Sequence, residues 1–200
     1  MNFLAHLWLA DRTGTSLAGS VLGDVVRGAD LSAYPDDIAH GVRLHRRVDA
    51  ATDRHASLVE LRQTFAEGER RYAGIVLDLA CDYALAQDWN RYRSTEALST
   101  FCARAGSALE QASPWFVKAG GRAIDAGHFA QLLHSYGTSA GIERALQRTA
   151  ARLRQPQPLL QAGAQWQALL PELRARLPDV LDDLRTVMNT ARDAAPGATA

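Results

Sequence analysis

Apolar residues in this chain recur every three or four positions, and no stretch sustains the period-two alternation that a half-buried strand requires. Leu4, Leu7 and Trp8 form one such stripe, and Ile75, Leu79, Tyr83 and Ala86 form another. A repeat near that of the α-helix places each set on one helical face. The expected fold is therefore all-α, a single-domain multi-helix bundle. With 47% hydrophobic and 22% charged residues among 200, the chain has enough apolar surface for one buried core. That balance excludes an intrinsically disordered chain.

Caps and breakers set the expected boundaries. The first core helix falls within MNFLAHLWLADRTG, which has no basic lead, contains His6 and reaches Asp11 too early for a membrane span or signal sequence. Neither is expected here. Thr15 or Ser16 caps a second helix that runs to about Arg27, where Gly28 ends it. Pro35, Asp36 and Asp37 open a third, continuing through Gly41 to about Asp53. Further helices are expected near 56–70, 72–92, 95–112, 139–153 and 166–192. The segment from Pro114, with Gly120, Gly121 and Gly127 as breaks, reads as the least regular part. Gln155-Pro156-Gln157-Pro158 reads as a short extended connection. The domain is expected to cover 1–193, followed by a frayed tail over 194–200.

Formal net charge is zero, so nothing pulls the whole molecule toward nucleic acid or a membrane, and recognition falls to local patches. Lys118 is the only lysine. Arginine forks bind phosphate or carboxylate bidentately, although codon bias produces the same skew. Cys81 and Cys102 are the only cysteines, too few for a disulfide framework, and a reduced cytoplasmic location is expected. No GxSxG elbow and no GxxxxGK[ST] loop is present, which removes the hydrolase-elbow and P-loop readings.

The acids of the first ninety residues are not spread like solvated charge. Asp24 sits in VLGDVVRG among Val21, Leu22, Val25 and Val26, where a carboxylate is expensive to bury without a partner or a metal. His45, Asp49 and Asp53 follow at four-residue spacing in GVRLHRRVDAATD, one stripe if the segment is helical. Asp78 and Asp82 are four apart in GIVLDLACDYAL, flanked by apolar residues, and two such acids require something positive between them. Three helices thus offer oxygen and imidazole ligands to one interior, as metal sites in helical bundles do. This donor set suits manganese, magnesium or iron rather than a thiolate-bound metal. The competing reading of Asp78 and Asp82 is a structural ion pair with arginines. His6 is either a further ligand or proton carrier, or a core histidine that is only hydrogen-bonded. Arg46 and Arg47 set two guanidinium groups beside His45, suited to phosphoryl oxygens, with Arg27, Arg43 and Arg54 extending the basic region. The competing reading is a solvated face paired with Asp36, Asp37 or Glu60.

These segments, MNFLAHLWLA, LAGSVLGDVVRG, GVRLHRRVDAATD and GIVLDLACDYALAQDW, resemble the acyl carrier protein phosphodiesterase family, in order and nearly continuously from residue 1 to about 92. Beyond residue 100 the assignment rests on continuity. The resemblance implies a helical fold similar to the HD phosphohydrolases, dependence on a divalent metal such as Mn2+, with Mg2+ or Fe2+ as alternatives, and holo-acyl carrier protein as substrate. The implied reaction cleaves the phosphodiester that joins 4'-phosphopantetheine to the carrier's serine. Carried over by position, Asp24, His45, Asp49, Asp78 and Asp82 are the implied metal-site residues, with His6 and Asp53 beside them. No adjacent His-Asp pair occurs in this chain, a departure from the usual HD pattern that leaves the ligand atoms and the number of metals open. Asp24, His6, Arg46 and Arg47 are the expected catalytic residues, and Arg27, Arg43 and Arg54 the expected carrier-docking residues. Two other readings are a phosphohydrolase of nucleotides or small phosphoesters and a helical module that binds an acidic partner without turnover.

Overall fold

The structure is a computed structural model that describes residues 1–193; the expected tail from Ala194 lies outside the described residues. Among the described residues every regular element is a helix, so the all-α expectation holds. The helices of the first half are α1 (Phe3–Arg12), α2 (Leu17–Leu22), α3 (Asp36–Arg54), α4 (Ala56–Gln63), α5 (Arg70–Gln87) and α6 (Trp89–Tyr92). The second half supplies α7 (Leu98–Gln111), α8 (Ser113–Lys118), α9 (Ala126–Ser135), α10 (Ser139–Ala150), α11 (Gln157–Gly163) and α12 (Leu170–Asp193).

Local chemistry explains several of the boundaries. Ser16 caps α2 by accepting from the Gly19 amide at 3.2 Å. Asp36 and Asp37 occupy the first turn of α3 behind Pro35, at the positive end of the helix dipole. Three sequence expectations fail. The second helix stops at Leu22 rather than Arg27, and Gly23 to Val25 form a turn. The glycine-rich stretch after Pro114 contains two helices, α8 and α9. Gly120 does turn the chain, at φ +85°, but Gly127 sits in the first turn of α9, which Asp125 caps through the His128 amide. The QPQP segment is not extended: Pro156 is in the helical region and α11 starts on it, because proline is tolerated where the first amides have no partner.

One core draws on both halves of the chain. Leu4, Leu7, Leu22, Leu44, Leu77 and Leu85 are sealed from solvent together with Phe65, Phe101, Leu109 and Phe116. The long α12 lies against α1, α3 and α5, closing the bundle. The contact between α2 and α3 is unusually close. A Cβ on Gly19 would lie 2.6 Å from the Ile38 carbonyl oxygen and 2.8 Å from Gly41 Cα, so only glycine permits this approach. That proximity fixes the turn after α2 over the middle of α3.

Candidate metal centre

The centre assembles from α1, α3 and the turn after α2. On α3, His45 and Asp49 stand one turn apart, His45 buried and Asp49 part-exposed beside it. His6, near the middle of α1, meets them from the facing helix. Asp49 joins the two imidazoles: one carboxylate oxygen is 3.0 Å from His6 Nε2, the other 3.0 Å from His45 Nε2. The two rings stack with centroids 4.1 Å apart. Donor atoms of His6, His45 and Asp49 all lie within 4.8 Å of one another, a spacing that one metal ion can span.

The tautomer of His45 is set by the fold. Its Nδ1–H donates to the Ser20 carbonyl at 2.7 Å, leaving Nε2 directed at the acids. The tight α2–α3 contact delivers that carbonyl, and Gly23 lets the turn lie flat on the imidazole. Burial by itself would depress His45, but the hydrogen bonds that its Nε2–H donates to Asp24 and Asp49 hold it up, to about 9. Burial would likewise raise Asp49, yet the hydrogen bonds from His45 and His6 hold its carboxyl well below the usual range. Burial lowers His6, assisted by the nearby His45. Two buried imidazoles sharing one carboxylate form a donor set of nitrogen and oxygen suited to a divalent cation, and the residues present fit one. Metal uptake there requires His45 to lose its proton.

Asp24 reaches the cluster from the turn, 3.5 Å from His45 Nε2, with its side chain 49% exposed. It is therefore a rim acid facing solvent rather than the buried acid its apolar neighbours suggest. Asp78 lies farther out on α5, 3.1 Å from the Met1 amino group, the positive partner that this pair of acids called for. Beside these residues opens a cleft of about 490 Å3, to which Asp24, Asp78 and Met1 contribute.

Several sequence-chosen residues lie elsewhere. Asp82 is fully buried and accepts from the Leu4 amide at 2.8 Å, the Ala5 amide at 2.9 Å and Asn2 Nδ2 at 2.9 Å. It caps α1 from another helix, and both its oxygens are occupied, so it is not available to the cluster as expected. Asp53 is exposed and pairs with Arg62 at 2.9 Å; each four-residue step advances about 40° round α3, so by Asp53 the stripe has drifted roughly 80° from His45. Arg46 donates to the Val26 carbonyl at 3.1 Å, bracing the connection between α2 and α3. Neither Arg46 nor Arg47 lines the cleft. Arg27, Arg43 and Arg54 are exposed. At about 100° per residue, Arg43 points roughly 200° away from His45, so the basic stripe of α3 faces away from the cluster. The cleft instead receives Tyr136 after α9 and Arg148, Thr149 and Arg152 from α10 and the turn beyond it. Sequence reading missed these. The available signal was the helical spacing of Ala145, Arg148, Thr149 and Arg152, which share one face.

The comparisons extend beyond the segments whose resemblance was visible by eye. Relatives named acyl carrier protein phosphodiesterase occur in Photorhabdus laumondii, 41% identical over 110 residues, and in Pectobacterium atrosepticum, 43% identical over 110 residues. A third, from Salmonella agona, is 38% identical over 121 residues. These alignments take in 55%, 55% and 58% of this chain and 56%, 57% and 63% of the respective relatives. The chain thus spans about three fifths of the length of the curated relatives it matches. No solved structure matches it. The pattern described as acyl carrier protein phosphodiesterase matches residues 1–184, covering the α1–α3 cluster and the second-half helices that wall its cleft. On that match, this chain belongs to the acyl carrier protein phosphodiesterase family.

Proposed function

We propose that this protein is a metal-dependent phosphodiester hydrolase that removes 4'-phosphopantetheine from holo-acyl carrier protein. The observation that carries the reading is the joining of His6 and His45 through Asp49, beside a cleft that Asp24 and Met1 connect to this cluster. Family membership and the names of the relatives supply the substrate class. In this reading His6, His45 and Asp49 hold the divalent cation; the donors accept manganese or iron, and Mn2+ is the ion that the family resemblance implies. When bound, that ion supplies Lewis-acid polarisation of a phosphoryl oxygen and a more acidic water.

The chain's own residues do the rest. Ser20 holds the His45 ring in one orientation through Nδ1. Asp24, at the rim and in contact with solvent, accepts the proton of the attacking water. A P–O bond forms to that water as the P–O bond to the carrier's serine breaks. The serine oxygen takes up a proton, so the products are apo carrier and free 4'-phosphopantetheine. Asp78 and the Met1 amino group form the polar edge of the cleft, and Phe3, Ile75 and Leu79 offer apolar surface to an aliphatic chain. Arg27, Arg43 and Arg54 are exposed, but the α3 stripe faces away from the cluster, so no contact with the carrier's phosphodiester is assigned to them. A cytoplasmic location accords with two buried thiols that form no disulfide. No helix among the described residues is long and apolar enough to cross a membrane.

Phosphorus NMR tests the substrate assignment. The manganese-treated protein, quenched with chelator before measurement, should convert the diester signal of holo carrier to a monoester signal. Nucleotides and bis(p-nitrophenyl) phosphate should react far more slowly. Preferential cleavage of a nucleotide would replace the carrier with a small phosphoester.

A further inference from the structure

One part of the cleft beside the cluster is basic. Ala145, Arg148, Thr149 and Arg152 follow one another at helical spacing and turn one face of α10 and its end toward the cavity. Arg148 and Arg152 are exposed, and among the described residues neither forms an ion pair or a hydrogen bond with a neighbour. Other arginines are tied down: Arg62 by Asp53, Arg104 by Asp11 and Glu96, Arg174 by Asp88, and Arg176 by Glu60 and Glu172. The same cleft is also lined by Asp24 and Asp78. The cleft is thus lined by free guanidinium groups as well as by acids.

We propose, resting on the phosphodiesterase reading, that Arg148 and Arg152 bind the phosphate of the substrate's phosphopantetheine arm and so determine specificity for a phosphorylated chain. Concavity favours a small-molecule arm over a flat protein contact, since about 490 Å3 falls within the size range of ligand pockets. Guanidinium forks match the planar geometry of phosphoryl oxygens and are not neutralised beforehand by a protein carboxylate. Leu132 and Ile75 supply apolar surface for the uncharged part of such an arm. This assigns the phosphate contact to the second half of the chain, in place of Arg46 and Arg47.

The test is calorimetric binding of 4'-phosphopantetheine and of unphosphorylated pantetheine to the manganese-treated protein. Wild type is compared with Arg148→Ala/Arg152→Ala and with Arg148→Lys/Arg152→Lys. Both positions are exposed, so the variants should keep their helical circular dichroism. The alanine pair should bind 4'-phosphopantetheine at least tenfold more weakly, the lysine pair should recover part of that loss, and pantetheine binding should change little. Equal affinity of wild type and alanine pair overturns the assignment, as does an equal loss for pantetheine. Weakened carrier turnover with unaltered binding of the free arm also overturns it and makes the arginines a protein-docking patch. Because binding is read apart from turnover, the functional reading is judged separately. A wild type that binds the arm through these arginines but never releases it from the carrier keeps the anion site and loses the proposed reaction.

Discussion

Replacing Gly23 with alanine adds one methyl group against the ring that orients the centre. The new Cβ would lie 2.3 Å from His45 Cδ2 and Cγ and 2.7 Å from its Cβ. Carbon atoms in contact sit roughly 3.5–4.0 Å apart, so the ring or the turn must move by about 1 Å or more. Backbone conformation does not oppose the change, since Gly23 is at φ −53° and ψ −31°, ordinary right-handed geometry. On backbone grounds alone, alanine would stabilise the fold by about 0.4–1 kcal/mol. Overpacking opposes this with about 1–3 kcal/mol. The expected net result is destabilisation of roughly 1–2 kcal/mol, read from urea midpoints. The larger effect should fall on the centre, because a displaced imidazole loses the Ser20 carbonyl at 2.7 Å. Loss of such an orienting partner weakens metal binding on the order of 10- to 100-fold, measurable by manganese titration calorimetry. A Gly23→Ala protein that is more stable than wild type and binds manganese equally well would refute the claim that this turn positions His45.

The Asp82→Ala variant should lose roughly 3 kcal/mol or more of stability, because three donors at the start of α1 lose their acceptor in a buried place; a change within 1 kcal/mol, on the order of an ordinary surface substitution, contradicts the capping role. Asp82 also carries a pH signature, since burial pushes its carboxyl from 3.8 up to about 7 against the two backbone hydrogen bonds. A raised acid gives stability that is full below about pH 4 and is lost as pH rises through about 7, up to roughly 4 kcal/mol, and Asp82→Asn should flatten that dependence. Asp24→Ala should reduce carrier turnover at least 100-fold, on the order expected for a lost proton acceptor, while circular dichroism shows the fold retained, since the side chain is half exposed; unfolding, or full activity, contradicts its rim role. Cys81→Ser and Cys102→Ser should both retain turnover, since burial raises each thiol and keeps it protonated; an inactive but folded variant points to covalent catalysis.

The sequence made the helical class visible because stripes such as Leu4, Leu7 and Trp8 depend only on local period. It made the His45–Asp49 pair visible for the same reason, since both belong to one helix. His6 remained open between two roles because its partner arrives on another helix, and no local pattern states how α1 docks on α3. Asp82 shows the opposite failure. An acid four residues from Asp78 on an apolar helix resembles a ligand, and only the tertiary fold shows the start of α1 pressed against it. Gly127 resembles a breaker in isolation, yet the Asp125 cap starts α9 and Gly127 sits in its first turn. Arg148 and Arg152 share one helical face with Ala145 and Thr149, but that spacing does not say whether the face borders a cleft or solvent.

Intact-mass spectrometry of holo-acyl carrier protein tests the central claim most directly. The account predicts that manganese-treated wild type removes the mass of 4'-phosphopantetheine, leaving apo carrier. Protein in excess chelator, and Asp49→Asn with manganese, should leave the carrier in its holo form. A carrier mass unchanged by the manganese-treated wild type, or full conversion after verified removal of metal, would contradict the account.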